Sequence, residues 1–251
     1  MMKRVLITGG TSGIGLATAH RLAESQSAIV INGRNGERGA QARAAILARK
    51  PDANVRFIAA DVSTRDGVSS LFTAAMDGFG APINVLVNSA GGEFIPTLFH
   101  ENRPEIVDSV IQRWLISTIY CCLFALPNLA DGAAIVNVGS DAGKVPTPGE
   151  SVIGAAMAGI SMFSRTLAME AKRRKIRVNV VTPSLVQETL THDRIMSNPF
   201  SAKLFGKALQ AAHLGPVDAD DVAAAIQFLV GKDASKVTGQ VLSINGGISA
   251  G

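Results

Sequence analysis

The segment Thr8-Gly9-Gly10-Thr11-Ser12-Gly13-Ile14-Gly15 carries the clearest chemical signal in the chain. Glycines at this spacing permit backbone turns closed to other residues and let an anion come close to the main chain. A helix beginning inside the segment would add unpaired N–H groups and a positive dipole end, which together hold a pyrophosphate. Gly9, Thr11, Ser12, Gly13 and Ile14 are the residues expected to touch it. A second signal is Asn32-Gly33-Arg34. An acid at the end of the second strand of a dinucleotide fold bonds the ribose 2′-hydroxyl of NAD, whereas an arginine accommodates a 2′-phosphate. Arg34, with no acid beside it, favours NADP over NAD for any dinucleotide held there.

The elements that must position these groups follow from hydrophobic patterning. Residues 5–8, 28–31, 55–59, 83–87, 134–138, 177–181 and 241–244 read as short apolar strands. Helical patterns fill 14–25, 36–49, 65–79, 104–126, 151–171 and 220–230. Apolar strands alternating with amphipathic helices predict a parallel sheet covered on both faces. The glycine segment then falls between the first strand and the first helix. No linker interrupts the alternation, so residues 1–251 are expected to form an α/β, single-domain, Rossmann-type doubly wound parallel sheet. Residues 184–214 are less periodic and contain Pro199. Because they follow a strand, and ligands bind beyond strand C-termini in such sheets, they are expected to form a lid.

Composition narrows the function classes. A chain of 251 residues, 47% hydrophobic, buries a large core without disulfides or metals. Cys121 and Cys122 are adjacent in an apolar helical stretch and have no other cysteine to pair with. They are expected to be small core residues of a cytoplasmic, reducing setting. Those cysteines and four histidines show no metal-ligand spacing. Residues 1–4 lead into the first strand without an apolar leader, and the uninterrupted apolar runs are shorter than the ~20 residues of a bilayer span. Neither a targeting segment nor a membrane is therefore expected. Net charge is +4, but the main basic cluster, Lys172-Arg173-Arg174-Lys175, sits at a helix C-terminus, where cations complement the dipole. No nucleic-acid motif accompanies it.

Further segments make the chain resemble the short-chain dehydrogenase/reductase family along nearly its whole length. The first loop fits that family's T-G-x-x-x-G-x-G pattern. Asp61-Val62 resembles its adenine-contacting pair, and Asn88-Ser89-Ala90-Gly91 its N-N-A-G element with one Asn changed to Ser. Arg177-Val178-Asn179-Val180 and Thr238-Gly239-Gln240-Val241 fit its signatures for the sixth and last strands. The resemblance implies that Asp61, Val62, Asn88, Ala90 and Gly91 join the glycine loop and Arg34 in holding a dinucleotide.

The same resemblance implies an Asn, Ser, Tyr and Lys constellation. In the family the Tyr is the general acid/base, the Lys lowers its pKa and holds the nicotinamide ribose, the Ser bonds the substrate oxygen and the Asn fixes a water. An unperturbed Tyr titrates near ~10, so it needs a neighbouring cation to work near neutrality. Ser140 fits the family serine. Counting forward from Ser140, and back from Phe163-Ser164-Arg165-Thr166, places Ile153 at the Tyr position and Met157 at the Lys position. Counting back from Ala125-Leu126-Pro127 places Trp114 at the Asn position. Isoleucine has no titratable proton, and methionine is neither a cation nor a donor. Pro183-Ser184 stands where the family has Pro-Gly, and Glu188 near where a Thr contacts the carboxamide. The adenine end is thus expected to be preserved and the nicotinamide end eroded. Acid/base assistance is worth roughly 10²–10⁴-fold in rate. Tyr120, Glu93, His100 and Lys144 are candidate replacements, but none shows nucleophile–base–orienter spacing.

The family also packs the helices at 104–126 and 151–171 against a partner subunit as a four-helix bundle. Ala155, Ala156, Ala158 and Gly159 are expected to allow that close approach. Segment 137–189, with Ser140-Asp141-Ala142-Gly143 and Pro148-Gly149-Glu150, is most similar to dehydrogenases of cyclic or aromatic hydroxyacyl-CoA intermediates, as is 239–247. These features imply a non-catalytic subunit, paired with an active relative in a heterodimer or heterotetramer, or else a homo-oligomer through the same helices. Two other readings stay open. One is an active NADP(H)-dependent oxidoreductase with a non-standard site. The other is a ligand-binding sensor whose apolar pocket is lined by Trp114, Ile153 and Met157.

Overall fold

Val5, Leu6 and Ile7 are completely buried, because their strand runs through the middle of the sheet with helices on both sides. The computed structural model describes residues 2–25 and 27–250. Its strands are β1 (Arg4–Thr8), β2 (Ala28–Gly33), β3 (Asn54–Ala59), β4 (Ile83–Asn88), β5 (Leu129–Val138), β6 (Arg177–Pro183) and β7 (Val241–Ile244). They pair in parallel in the order β3-β2-β1-β4-β5-β6-β7. The order reverses between β1 and β4, and ligands of such sheets bind beyond the carboxyl ends at that point.

Strand alternation assigns the two faces. Val5, Ile7, Ile29 and Ile31 pack under α1 (Gly13–Glu24), α2 (Gly36–Arg49) and the C-terminal helix at Ala219–Val230. Leu6, Val30 and Leu86 face the other way, toward α3 (Arg65–Phe79) and the helical regions that follow. Local signals set several helix ends. Asn35 accepts from Arg38 N at 2.8 Å to open α2, and Thr64 accepts from Gly67 N at 3.1 Å to open α3. Gly80, with φ of 61°, closes α3.

The stretch expected as one helix over 104–126 is interrupted. It comprises α4 (Pro104–Val110), a π-helical turn at Ile111–Ile116 and α5 (Ser117–Ala125). Such wide turns are uncommon and cluster at functional sites. Here the turn carries Trp114. The next helix, α6 (Ser151–Ala171), has the expected bounds. Two of the small residues expected to admit a partner lie inside the chain instead: Ala156 is fully buried, and a Cβ at Gly159 would sit 3.0 Å from Leu115 Cδ2. Ala155 and Ala158 remain exposed.

The less periodic region after β6 contains two helices, α7 (Leu190–Ser197) and α8 (Pro199–Gln210). Thr189 caps the first through His192 N, and Asn198 caps the second through the amides of Phe200 and Ser201. Pro199 does not break the segment, because it is the first residue of α8, where its missing N–H leaves no bond unmade. Leu185, Ile195 and Phe205 give the segment a small core of its own. The last helix is α9 (Ala219–Val230), which opens on a capping box between Asp218 and Asp221.

Helical runs at Pro104–Asn128 and Ser151–Arg174 are long and apolar enough to cross a membrane by length and composition alone. Both lie against the sheet. Their apolar character follows from covering it, with Cys121, Cys122, Ala125, Leu167 and Ala168 all in the core. The two cysteines are buried free thiols, as their setting predicted. Burial pushes the Cys122 thiol up to about 12, so it behaves as a small apolar side chain.

Candidate active site

A cavity of about 730 Å³ opens at the carboxyl ends of the strands. It runs from the loop after β2, past the β1–α1 loop, to the space beneath α7 and α8.

At its centre Gly9, Thr11, Ser12, Gly13 and Ile14 all form wall. Gly9 has φ of +66°, and a Cβ there would fall 2.6 Å from Ser89 O. The β1–α1 loop therefore nests against the loop after β4 only because Gly9 has no side chain. Gly13 has φ of +49°, and a Cβ on it would meet Thr189, at 3.6 Å from Cγ2 and 4.0 Å from Cβ. Unlike Asn35 and Thr64, Ser12 makes no side-chain cap, and the first turn of α1 carries no acid. The amides of that turn are left to an anion arriving from the cavity.

Arg34, Asp61 and Val62 line the next part of the wall, together with Asn35 and Arg38. Asp61 Oδ1 accepts from Ser63 N at 2.9 Å and from Ser63 Oγ at 2.7 Å, while Oδ2 lies 4.0 Å from the Arg34 guanidinium. Burial alone would raise the Asp61 pKa. The Ser63 bonds and the Arg34 and Arg113 cations outweigh it and hold the carboxyl below its ordinary value. Arg34 and Arg38 together offer two guanidinium groups to a phosphate. Arg38 went unnoticed in the sequence because it lies in the first turn of α2, four residues beyond the strand-end position that the pattern marks.

Asn88, expected to contact a dinucleotide, is not part of the wall. It is the last residue of β4 and its side chain is buried. Nδ2 donates to Asn137 Oδ1 at 2.9 Å, and Asn137 Nδ2 donates in turn to Ser164 Oγ at 2.8 Å. This chain of bonds ties β4 to β5 and α6. Ser89, Ala90 and Gly91, just beyond the strand, form the wall instead.

The far end of the cavity holds Ser140, Trp114, Ile153 and Met157, so the four positions singled out by resemblance do converge. Ser140 Oγ accepts from Ala142 N at 3.2 Å. Ile153 and Met157 lie one turn apart on α6 and are only 5% and 1% exposed. They pack with Val110, Ile160, Phe94 and Trp114 into an apolar floor. The indole of Trp114 is seated on Gly91, and its buried Nε1 has no hydrogen-bond partner among the described residues.

Glu188 does not take the place of the family threonine. It adopts φ of 57° and is absent from the wall, whereas Thr189, one residue later, lies over Gly13 and lines the cavity. A threonine is thus retained at this end, displaced by one position in the count. The proposed replacements for a proton relay are engaged elsewhere. Lys144 is bonded to Ser243 and lies 3.8 Å from Asp141. Tyr120 packs in the core beneath the sheet, and His100 is an exposed neighbour of Glu101. Glu93 does line the cavity, but it pairs with Arg194 of α7 at 2.7 Å.

One polar wall residue has a position that local sequence does not mark. Glu150 immediately precedes α6 and lines the cavity. Burial raises its carboxyl to about 7, with a Thr147 hydrogen bond opposing and the Asp141 charge adding to the shift. Asp141 itself is held by Asn245 Nδ2 at 2.5 Å and Ser249 Oγ at 2.9 Å.

The residues therefore fit the adenosine and pyrophosphate parts of a dinucleotide. They do not fit the requirements of its redox end as the family builds it, because Ile153 and Met157 of the floor have neither a cation nor a proton to exchange.

A family profile described as enoyl-(acyl carrier protein) reductase matches residues 9–249. The chain is 34% identical over 250 residues to 3-oxoacyl-(acyl-carrier-protein) reductase FabG of Chlamydia trachomatis, covering 98% of this chain and 97% of that protein. It is 31% identical over 244 residues to a 2,3-dihydroxy-2,3-dihydro-p-cumate dehydrogenase of Pseudomonas putida, covering 96% and 92%. Among solved structures, levodione reductase superposes with a TM-score of 0.91 at 29% identity over 98% of each chain. A short-chain dehydrogenase of Burkholderia cenocepacia in complex with NADP gives 0.89 at 28% identity, covering 99% and 98%.

Proposed function

We infer the function from one premise: this chain belongs to the short-chain dehydrogenase/reductase family. It is an oxidoreductase scaffold of a family that binds NAD(P), and the bound nicotinamide supplies the hydride in that chemistry. Our reading is that this chain holds a dinucleotide, NADP in preference to NAD, without supplying the proton relay. It then serves as the non-catalytic subunit of a complex with an active relative.

The burial of Ile153 and Met157 carries this reading. Side chains with no proton to exchange occupy the floor beside Ser140, and Trp114 fills the space around them. The preference for NADP rests on Arg34 and Arg38 flanking the wall with no acid ahead of them on β2. Association is supported by the outer side of α6, where Ala155, Ala158, Met162 and Met169 are exposed three, four and seven residues apart along one stripe. Leu123 of α5 is 60% exposed as well. Small and apolar residues on neighbouring helices suit a helix-to-helix contact with a similar subunit.

The substrate class of the complex is read as a hydroxyacyl-CoA type. The pattern of 137–189 supports it, and one relative is named for an oxoacyl-(acyl-carrier-protein) substrate, also an acyl thioester. Residues 184–214 act as its lid, latched by the Glu93–Arg194 pair across the cavity mouth. The free buried thiols of Cys121 and Cys122 suit a reducing, cytoplasmic setting.

The test is purification from the native source through a tag on this chain, followed by assay of the isolated subunit and of the complex. An intact family member should co-purify and carry the dehydrogenase activity. Steady-state turnover by the homogeneous chain alone would refute the non-catalytic assignment.

A further inference from the structure

Chain ends fray unless something ties them down. Residues 245–249, the strap that follows β7, are tied to two distant segments. The first is the short turn at Asp141–Gly143, which begins just after Ser140. The Asp141 carboxylate is buried there. Its Oδ2 accepts from Asn245 Nδ2 at 2.5 Å and from Ser249 Oγ at 2.9 Å, and its Oδ1 accepts from Ser243 Oγ at 3.4 Å. Lys144 bonds the same Ser243 and brings its ammonium to 3.8 Å from Asp141. The second tie runs to the end of the segment 184–214. Leu214 N donates to Gly246 O at 3.0 Å, and a Cβ on Gly246 would fall 2.1 Å from Gly215 O. The main chains of strap and segment therefore touch.

The polar groups of the strap are spent on these ties. Asn245 Nδ2 donates also to Ser249 O at 3.1 Å, and Asn245 Oδ1 accepts from Gly247 N at 3.0 Å. Ile248 and Ser249 reach the cavity wall, and the Ser249 hydroxyl is already donated to Asp141. What the strap offers a ligand is thus the aliphatic group of Ile248. It joins a chamber whose other walls include Phe94, Ile153, Met157, Leu204 and Phe205.

We propose that the strap sizes the ligand of this chamber: Ile248 is the specificity-determining residue for the bulk of an apolar ligand, and Asp141 is the positioning residue that holds it in place. An isoleucine on a frayed end would yield to a bulky ligand. Here Ile248 cannot retreat without drawing Ser249, and with it Asn245, away from a buried carboxylate. That anion would be left short of donors, which is costly. The limit on bulk is therefore set by the Asp141 contacts as much as by the side chain that meets the ligand. The inference stands whether the cleft turns over its ligand or only holds it.

Trp114 is the only tryptophan of the chain and lines this cavity, so its emission reports occupancy. The experiment titrates the full chain with cyclohexanol and with 4-tert-butylcyclohexanol, and reads the ratio of the two affinities. Ile248→Ala removes three carbons from the wall, so the ratio should shift toward the bulkier alcohol by roughly 10- to 50-fold. Ile248→Phe should shift it the other way. Asp141→Asn loosens the strap and should move the ratio severalfold in the direction of Ile248→Ala. Adding Asn245→Asp to Asp141→Asn restores a donor facing an acceptor, with the roles exchanged, and should return the ratio toward the parental value. Ser249→Ala removes one tie without touching the carboxylate and carries the same test should Asp141→Asn fail to fold, which circular dichroism checks. A purely structural role for Asp141 would weaken both alcohols alike. An unchanged ratio in Ile248→Ala, equal losses for both alcohols in the strap variants, or no binding of either alcohol to the parent would overturn the proposal. NADP(H) turnover with either alcohol or its ketone, assayed in parallel, would sink the non-catalytic role and leave the sizing role standing.

Discussion

The indole of Trp114 is seated directly on the main chain of Gly91, so that a Cβ there would fall 2.8 Å from Cε3 and closer still to Cζ3 and Cη2. This contact joins the π-helical turn to the loop after β4 and roofs the apolar floor made by Ile153 and Met157. Introducing even one methyl group into the contact must displace the ring or the loop. Gly91→Ala should lower stability by about 1–3 kcal/mol, the usual cost of overpacking. Urea unfolding followed by Trp114 emission measures both the loss and the altered setting of the indole.

Met157 has become a core residue at a position where the family places a working cation. Met157→Ala should cost about 2–4 kcal/mol, because its neighbours cannot close fully over the cavity left behind. Met157→Lys should cost at least as much, since the ammonium would be buried without a partner. Denaturant titration of both variants gives the comparison. A loss below about 1 kcal/mol for the alanine variant would mean that the site is vacant space and not packed floor.

Asn88 separates a structural role from a binding role. Asn88→Ala leaves Asn137 Oδ1 with only the weak Cys122 thiol as a buried donor and should destabilise the chain by about 1–3 kcal/mol. Dinucleotide affinity, measured by calorimetry on the folded variant, should stay near the parental value because Asn88 does not reach the wall.

Arg34→Ala removes one of the two guanidinium groups at the mouth of the adenosine site. A charge-assisted bond is worth about 1.5–3 kcal/mol, so NADP should bind roughly 10- to 100-fold more weakly. Affinity for NAD, which lacks the 2′-phosphate, should change little. Calorimetric titration of both dinucleotides into parent and variant decides it.

Burial raises the Glu150 carboxyl from its ordinary 4.5 to about 7. Between those values the folded chain retains a proton that the unfolded chain has released, so stability falls as pH rises through this window and stays lower above it. Glu150→Gln abolishes that loss. The variant should match the parent near pH 4 and exceed it by about 2–3 kcal/mol near pH 8, read from urea midpoints at the two values.

The helices α2, α3 and α6 have the bounds that the sequence predicts, and at α2 and α3 this is because Asn35, Thr64 and Gly80 are signals that act within a few residues of the turns they set. The parallel, doubly covered sheet was equally legible, since its strands are apolar on both faces and its helices on one. The glycine loop, and the arrival of Ser140, Ile153, Met157 and Trp114 in one cavity, followed from spacing together with family resemblance. What the sequence by itself left open depends on contacts between distant segments. The inward turn of Asn88 is fixed by Asn137 on β5 and, beyond it, by Ser164 on α6, and the choice of Thr189 over Glu188 by the backbone bend at 188. The helices of 190–210 gain their stability from Leu185, Ile195 and Phe205 meeting one another, although Thr189 and Asn198 mark their starts. Glu150 reads as an ordinary surface acid until α6 and the turn at Asp141–Gly143 close around it. Local propensity acts over one turn of chain, whereas burial is a property of whichever segments the completed sheet brings together.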